Sequence, residues 1–224
     1  MIETWHLLED LAGAAAWNMA VDEALLHTAV ARGRPLLRVY AWDRPSVSIG
    51  YFQKYPAHLA ATQAIVRRPT GGGLVYHGED TTITVVAPPG HRLAEMKTAD
   101  AYCEIHQAVA TALETGQSRR SATLHAVPPS SPRGHYECFA NPVAGDVVVA
   151  GRKLAGGAQR RTKCGLLHQG SIVARIEGSQ LVNGFTKAFD ARFERYELSD
   201  AERALAERLM REKYATETWT KRVT

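Results

Sequence analysis

Only three cysteines occur in 224 residues, at positions 103, 138 and 164, and none falls in a CxxC or a Cys/His ligand spacing. An odd number cannot pair completely within one chain, so a reducing compartment is the simpler expectation. No run approaches the roughly 18 apolar residues of a membrane span, and Met1-Ile2-Glu3-Thr4-Trp5 lacks the basic, then apolar start of a signal peptide. A soluble, cytoplasmic protein without a membrane partner is expected. The HExxH pair, the GxSxG elbow and the GxxxxGK(S/T) loop are all missing. Zinc-hydrolase, serine-hydrolase and P-loop chemistry therefore fall away, and no metal site is expected. Basic residues exceed acidic ones only mildly, for a net charge of +4, and no aromatic-interleaved basic stripe appears. Nucleic acid is not an expected partner.

What remains is an ordinary soluble composition, 45% hydrophobic and 22% charged, and a length suited to one domain over residues 1–224. Asn18 precedes an apolar-periodic run, Met19 to Leu26, with Asp22 and Glu23 taken as first-turn acids. This predicts a capped helix ending near Gly33. Leu36–Trp42 and Ser46–Phe52 read as strands joined by the Asp43-Arg44-Pro45 turn, a hairpin pattern. Thr81–Ala87 is a further strand, closed by Pro88-Pro89-Gly90. Tyr102, Ile105, Val109 and Leu113 recur at helical spacing within Lys97–Thr115, which predicts an amphipathic helix over one sheet face. Gly116–Asn141 is polar and proline-bearing, and reads as irregular. Strands at Asp146–Ala150 and Gly165–Ala174 follow, with turns at Ala150-Gly151 and Gly156-Gly157. Glu177–Phe189 and Ser199–Tyr214 read as helices, the second opened by a Ser199/Glu202 capping box. Strands and helices mix without strict alternation, so the fold class is α+β.

Two segments could carry chemistry. In Arg67-Arg68-Pro69-Thr70-Gly71-Gly72-Gly73-Leu74-Val75-Tyr76-His77, three glycines strip side chains from a loop. Backbone amides can then approach a ligand beside an arginine. A flexible turn is the competing reading. In Gly151-Arg152-Lys153-Leu154-Ala155-Gly156-Gly157-Ala158-Gln159-Arg160-Arg161, Lys153 could present its ammonium to a carbonyl, or could be an ordinary surface lysine. Cys138, a short way upstream, could be a thiolate nucleophile near that cation, or a small buried hydrophobe. Cys103, on the periodic helix, reads as buried and unreactive.

Together these segments resemble the family of lipoate-protein ligases, octanoyltransferases and biotin-protein ligases. The likeness runs through Trp17–Leu26, Ser48–Gln53, Arg67–His77, Gly151–Arg161 and Leu167–Ile172, most of the chain. It implies one catalytic domain of the class II biotin/lipoate ligase type, with mixed, largely antiparallel sheets packed with helices. Arg68, Gly71, Gly72, Gly73 and His77 would line the acyl pocket. Lys153 would contact the activated carbonyl, and Gly156, Gly157, Ala158 and Gln159 would form the opposite wall. Within the family, the Cys138-Phe139 pair and the His77-Gly78-Glu79-Asp80 loop look like the cysteine-dependent octanoyltransferases. Those take octanoate from an acyl carrier protein and pass it through a cysteine thioester to a lysine of a lipoyl domain or glycine-cleavage carrier, without a cofactor. The alternative is a lipoate ligase using ATP and Mg. The tail around Trp219 is similar to small ligases whose accessory domain is a separate polypeptide, and the chain is expected to lack that domain. A non-catalytic lipoate binder is a third reading. His168-Gln169-Gly170 reverses the transferases' Gln-His-Gly order, so no role is assigned to His168.

Overall fold

The computed structural model describes residues 2–115, 121–126 and 142–223. In chain order the elements are strand β1 (Glu3–Glu9), helices α1 (Ala15–His27) and α2 (Ala29–Arg32), and strands β2 (Leu36–Tyr40), β3 (Ser46–Ile49), β4 (Ala64–Arg67), β5 (Val75–His77) and β6 (Thr81–Ala87). Helices α3 (Arg92–Glu95) and α4 (Thr98–Thr115) and strands β7 (Ala122–Leu124), β8 (Val147–Val149), β9 (Arg152–Thr162) and β10 (Gly165–Ile172) follow. Last come α5 (Gly178–Phe189), β11 (Ala191–Arg195), α6 (Asp200–Leu209), a π-helical turn at Met210–Tyr214, and α7 (Glu217–Thr220). Eight strands form one sheet, β11-β1-β2-β6-β10-β9-β8-β7, and β4-β3-β5 form a second. β1 is parallel to both its neighbours and β3 is parallel to β4, while the other pairings are antiparallel. The chain thus adopts the expected α+β arrangement.

Strand alternation divides the large sheet between two cores. Ile83 and Val85 of β6 face α4 and α5, whereas Val86 faces α1. β10 splits the same way, Leu166 and Ile172 against Leu167. From α4, Ile105, Val109 and Leu113 enter the first core, so the period read from the sequence does select the buried face.

Helix α1 departs from its expected form. It begins at Ala15, and Asn18 lies inside it, buried, with Nδ2 donating to the carbonyls of Gly13 and Ala41 at 3.1 and 3.0 Å. Every residue from Asn18 to Leu26 is buried. Asp22 and Glu23 are therefore not solvated first-turn acids. Asp22 accepts from Arg38 at 2.7 Å and from Tyr40 at 3.0 Å, and Glu23 accepts from Lys213 at 2.6 Å and from Tyr214 at 2.8 Å. A helix covered all round must neutralise its carboxylates with tertiary partners.

Two further expectations are corrected. β2 and β3 form no hairpin, because β3 pairs with β4 and β5 and the turn at Pro45 carries the chain from one sheet to the other. Gly156 and Gly157 form no turn either. They lie within β9, where side chains would collide with Lys153 and His168 respectively. The turn at Ala150-Gly151 is present, both residues having positive φ, 48° and 77°. Of the polar segment, residues 122–124 form β7, paired with β8, while 116–120 and 127–141 lie outside the described residues. The Ser199/Glu202 capping box closes as expected, Glu202 Oε2 accepting from the Ser199 amide at 2.9 Å. No described helix is long and apolar enough to cross a membrane.

Helix α5 packs tightly onto α4 at Gly184, where a methyl group would meet the Ala108 carbonyl and the Ala112 amide. Gly184→Ala is therefore expected to lower stability by about 2 kcal/mol. Urea unfolding would register this as a lower midpoint at unchanged slope.

Candidate active site

Between the two sheets lies a cleft of about 380 Å³, counting its open mouth. Met19 of α1, Tyr40 and Trp42 line one part. Ser48, Arg68, Val75 and His77 come from the small sheet, Thr82 from β6, Gly156–Ala158 from β9 and Gln169–Ser171 from β10. From β9 across β10 and β6 to β2 the sheet order gives three strand spacings, about 14 Å.

The Trp42 end is polar underneath and apolar towards the cleft. The His77 ring stacks on Trp42 at 3.9 Å and 15°. Its Nδ1 lies 2.7 Å from Asp80 Oδ2 and its Nε2 lies 2.8 Å from Ser48 Oγ. Asp80 also accepts from Ser171 at 2.7 Å and from Thr82 at 3.1 Å. Burial would raise the Asp80 pKa, but the bonds from His77, Ser171 and the Gly78 amide outweigh it and hold the carboxyl below its ordinary value. An ionised Asp80 accepts a hydrogen bond from Nδ1–H, so Nε2 accepts from the Ser48 hydroxyl. Burial pushes the His77 pKa down against the pull of Asp80, which keeps the imidazole neutral. These polar atoms satisfy one another, and ring faces are left for a ligand.

The β9 end carries charge. Lys153 is buried, its Nζ 2.8 Å from Asp146 Oδ2. The reading of a solvated surface lysine is thereby overturned. A Cβ on Gly156 would stand 2.5 Å from that Nζ, so the missing side chain makes the space the ammonium occupies. Tyr102 of α4 donates to Asp146 Oδ1 at 2.6 Å and accepts the Gly157 amide at 2.9 Å. The floor of the cleft is thus tied to the ion pair. Beneath it, a Cβ on Gly157 would stand 2.6 Å from His168 Nε2, which has no hydrogen-bond partner among the described residues. His106 donates its Nδ1 proton to the Gly145 carbonyl at 2.7 Å. Burial lowers the His106 pKa to about 4 and takes that of His168 well below the ordinary value, with His106 adding to the effect.

Arg68 lines the cleft but spends its donors locally. Nε and Nη2 bond the Gly71 carbonyl at 3.1 and 2.7 Å, Nη2 also bonds that of Gly73 at 2.6 Å, and Nη1 bonds the Ser48 carbonyl at 3.0 Å. Gly71–Gly73 form the rim rather than the lining. Gly72 has a φ of 84° and faces Ala158. Gly156, Gly157 and Ala158 line the cleft. Gln159 does not, because strand alternation turns it to the other face, Nε2 3.3 Å from His168 Nδ1. Cys138 lies outside the described residues. Cys103 and Cys164 are both free and half-buried, so Cys103 is less enclosed than expected.

Sequence reasoning missed Trp42, Asp80, Tyr102, Asp146 and Gln169. Gln169 bonds Asp22 at 2.7 Å and Thr70 at 2.7 Å, bridging α1 to the glycine loop. Its position inside the Leu167–Ile172 motif was the available signal. Tyr102 and Asp146 offered none, since each acts through a contact distant in sequence. No group of three His, Cys, Asp or Glu among the described residues is placed to hold a metal ion.

Comparison with known proteins bears on this geometry. A family model described as the lipoyl protein ligase A/B catalytic domain matches residues 14–205. The octanoyltransferase LipM of Kyrpidia tusciae is 32% identical, over 99% of this chain and 100% of that protein. The octanoyltransferase LipM of Carboxydothermus hydrogenoformans is 29% identical, over 97% and 98%. A Thermoplasma acidophilum protein solved with bound lipoic acid shares the fold with a TM-score of 0.80, at 23% identity and with 100% of both chains covered.

The buried histidines make stability depend on pH. An unfolded chain protonates His106 near 6.5, whereas the folded chain resists until about 4. The unfolded state therefore binds more protons in between, and stability should fall as pH drops through that window, by up to about 3 kcal/mol for His106 alone. Urea midpoints measured across that range should decline, and His106→Asn should flatten the decline.

Proposed function

This chain belongs to the lipoyl protein ligase A/B catalytic-domain family, and on that footing we propose that it is an acyltransferase that moves an octanoyl group onto a lysine of a lipoyl-carrier domain. The observation that most supports this is the pairing of an apolar-walled cleft with a buried ammonium. The cleft presents Met19, Tyr40 and Trp42 to a chain, and the Lys153–Asp146 pair stands at Gly156 on its β9 side. Each buried methylene would contribute about 0.8 kcal/mol to holding the chain. The octanoyltransferase relatives, similar over nearly their whole length, point the same way.

The chemistry proceeds in two steps. The Cys138 thiolate attacks the thioester carbonyl of an octanoyl-acyl carrier protein, the carrier thiol leaves, and an octanoyl thioester forms on Cys138. The amine of the acceptor lysine, on a lipoyl domain or a glycine-cleavage carrier, then attacks that carbonyl and releases the Cys138 thiol. Lys153 stabilises the thiolate and the oxyanion in both steps, a contribution of about 3 kcal/mol at the transition state. Asp146 and Tyr102 hold the ammonium in place. A thioester is already activated, so neither nucleotide nor metal takes part.

Intact-mass measurement after mixing the enzyme with octanoyl-acyl carrier protein should show one octanoyl adduct, absent from Cys138→Ala. Without an adduct, and with Cys138→Ala still active, the covalent route is wrong. Formation of bound lipoyl-adenylate from ATP and lipoate alone would replace the transferase with a ligase. Lys153→Ala should lower kcat by about a hundredfold, and single-turnover kinetics should locate the loss in both acyl transfers.

A further inference from the structure

Beside the cleft mouth stands a cationic and aromatic ledge that acyl transfer itself does not use. The segment after β3 lies against the glycine loop: the Tyr51 amide donates to the Thr70 carbonyl at 2.8 Å, and the Gly72 carbonyl packs directly onto Gly50. From this segment Phe52 projects into solvent, 81% exposed, its ring edge-on to Tyr51 at 4.8 Å. The Arg222 guanidinium lies 4.0 Å from the Tyr51 ring centre and that of Arg160 5.7 Å away. Arg160 also donates to the Pro69 carbonyl at 3.2 Å, at the base of the same loop. Lys54, two residues beyond Phe52, is exposed. Their neighbours Lys213 and Lys221 are neutralised by Glu23 and Glu217. Arg160, Arg222 and Lys54 have no carboxylate partner among the described residues.

Such a surface is well suited to being covered by an acidic partner. An arginine stacked on an aromatic face keeps its N–H edge free for a carboxylate, and grouped cations steer an acidic partner towards the mouth. Building on the transferase reading above, we propose that this ledge docks the acceptor domain through an acidic surface flanking its target lysine, with Phe52 as the apolar anchor. The acceptor is favoured over the donor by reach. A lysine side chain is short, so the folded body that carries it must come up to the rim before its amine can enter the cleft. A lysine approaching a cationic rim would also be repelled unless carboxylates accompanied it.

Binding of an unmodified lipoyl domain, followed by fluorescence anisotropy at low and high salt, tests the assignment with Lys54→Glu/Arg222→Glu and with Phe52→Ser. Affinity at low salt should fall roughly tenfold in the charge-reversed variant, and its salt dependence should flatten. Phe52→Ser should weaken binding at both salts. Loading of Cys138 from a small octanoyl thioester should be unchanged in each variant, which also shows that they fold. Unchanged affinity in both variants, undetectable binding by the wild type, or a loss confined to the acyl-carrier donor would each overturn the docking assignment. Failure of the wild-type enzyme to load Cys138 or to acylate the domain would instead strike the transferase reading, since the binding measurement does not depend on turnover.

Discussion

A loop of three glycines has no side chains with which to hold a shape, and here the buried Arg68 guanidinium holds it while that of Arg67 ties down the segments beside it. Arg67, fully buried at the end of β4, donates to the carbonyls of Gly50, Tyr51 and Gln53 on one side and of Trp219 and Thr220 on the other. Arg68 gathers those of Ser48, Gly71 and Gly73. Trp219 returns a bond from its indole N–H to the Arg67 carbonyl at 2.8 Å. Carbonyl dipoles thus solvate two cations in place of water, as burial of a charge requires. The small sheet, the rim of the cleft and α7 become one hydrogen-bonded unit. Burial, and then the nearby Arg222, lower the Arg67 pKa, yet a guanidinium starts so high that it stays charged.

The same rule governs the interior of the site with carboxylates as partners. Asp146 answers Lys153, Asp22 answers Arg38, and Asp80 answers the Nδ1 proton of His77. Each pairing joins elements far apart in the chain. Removing one member of such a pair would strand the other in a medium of low dielectric, which makes them strong determinants of geometry. Glycines supply the room. Gly156 leaves space for the Lys153 ammonium, and Gly157 for the His168 ring.

Much of the architecture was legible because side-chain period is a local property. Strand β6 occupies the predicted span Thr81–Ala87, α4 begins one residue after its predicted start, and the Ser199/Glu202 box opens α6 where expected. The errors fall where a distant contact overrides a local signal. Asn18 resembles a cap in sequence, yet its amide bonds Ala41 across the fold. Asp43-Arg44-Pro45 resembles a hairpin turn, yet β2 finds its partners in β1 and β6. Gln159 adjoins three cleft residues and faces away from them.

By itself, then, the sequence determined the order of motifs, the α+β class and the positions of Arg68, His77 and Gly156–Ala158 in a common site. The class follows from the mixed periods of strands and helices, and the common site from the family resemblance that the ordered motifs carry. Only the tertiary structure decided which face each strand residue serves, that Lys153 is buried against Asp146 rather than solvated, and that Trp42, Asp80 and Tyr102 belong to the site. The reason is that a buried charge or hydroxyl is defined by its partner. Those partners are brought together only when the sheets close, at separations that no local pattern records.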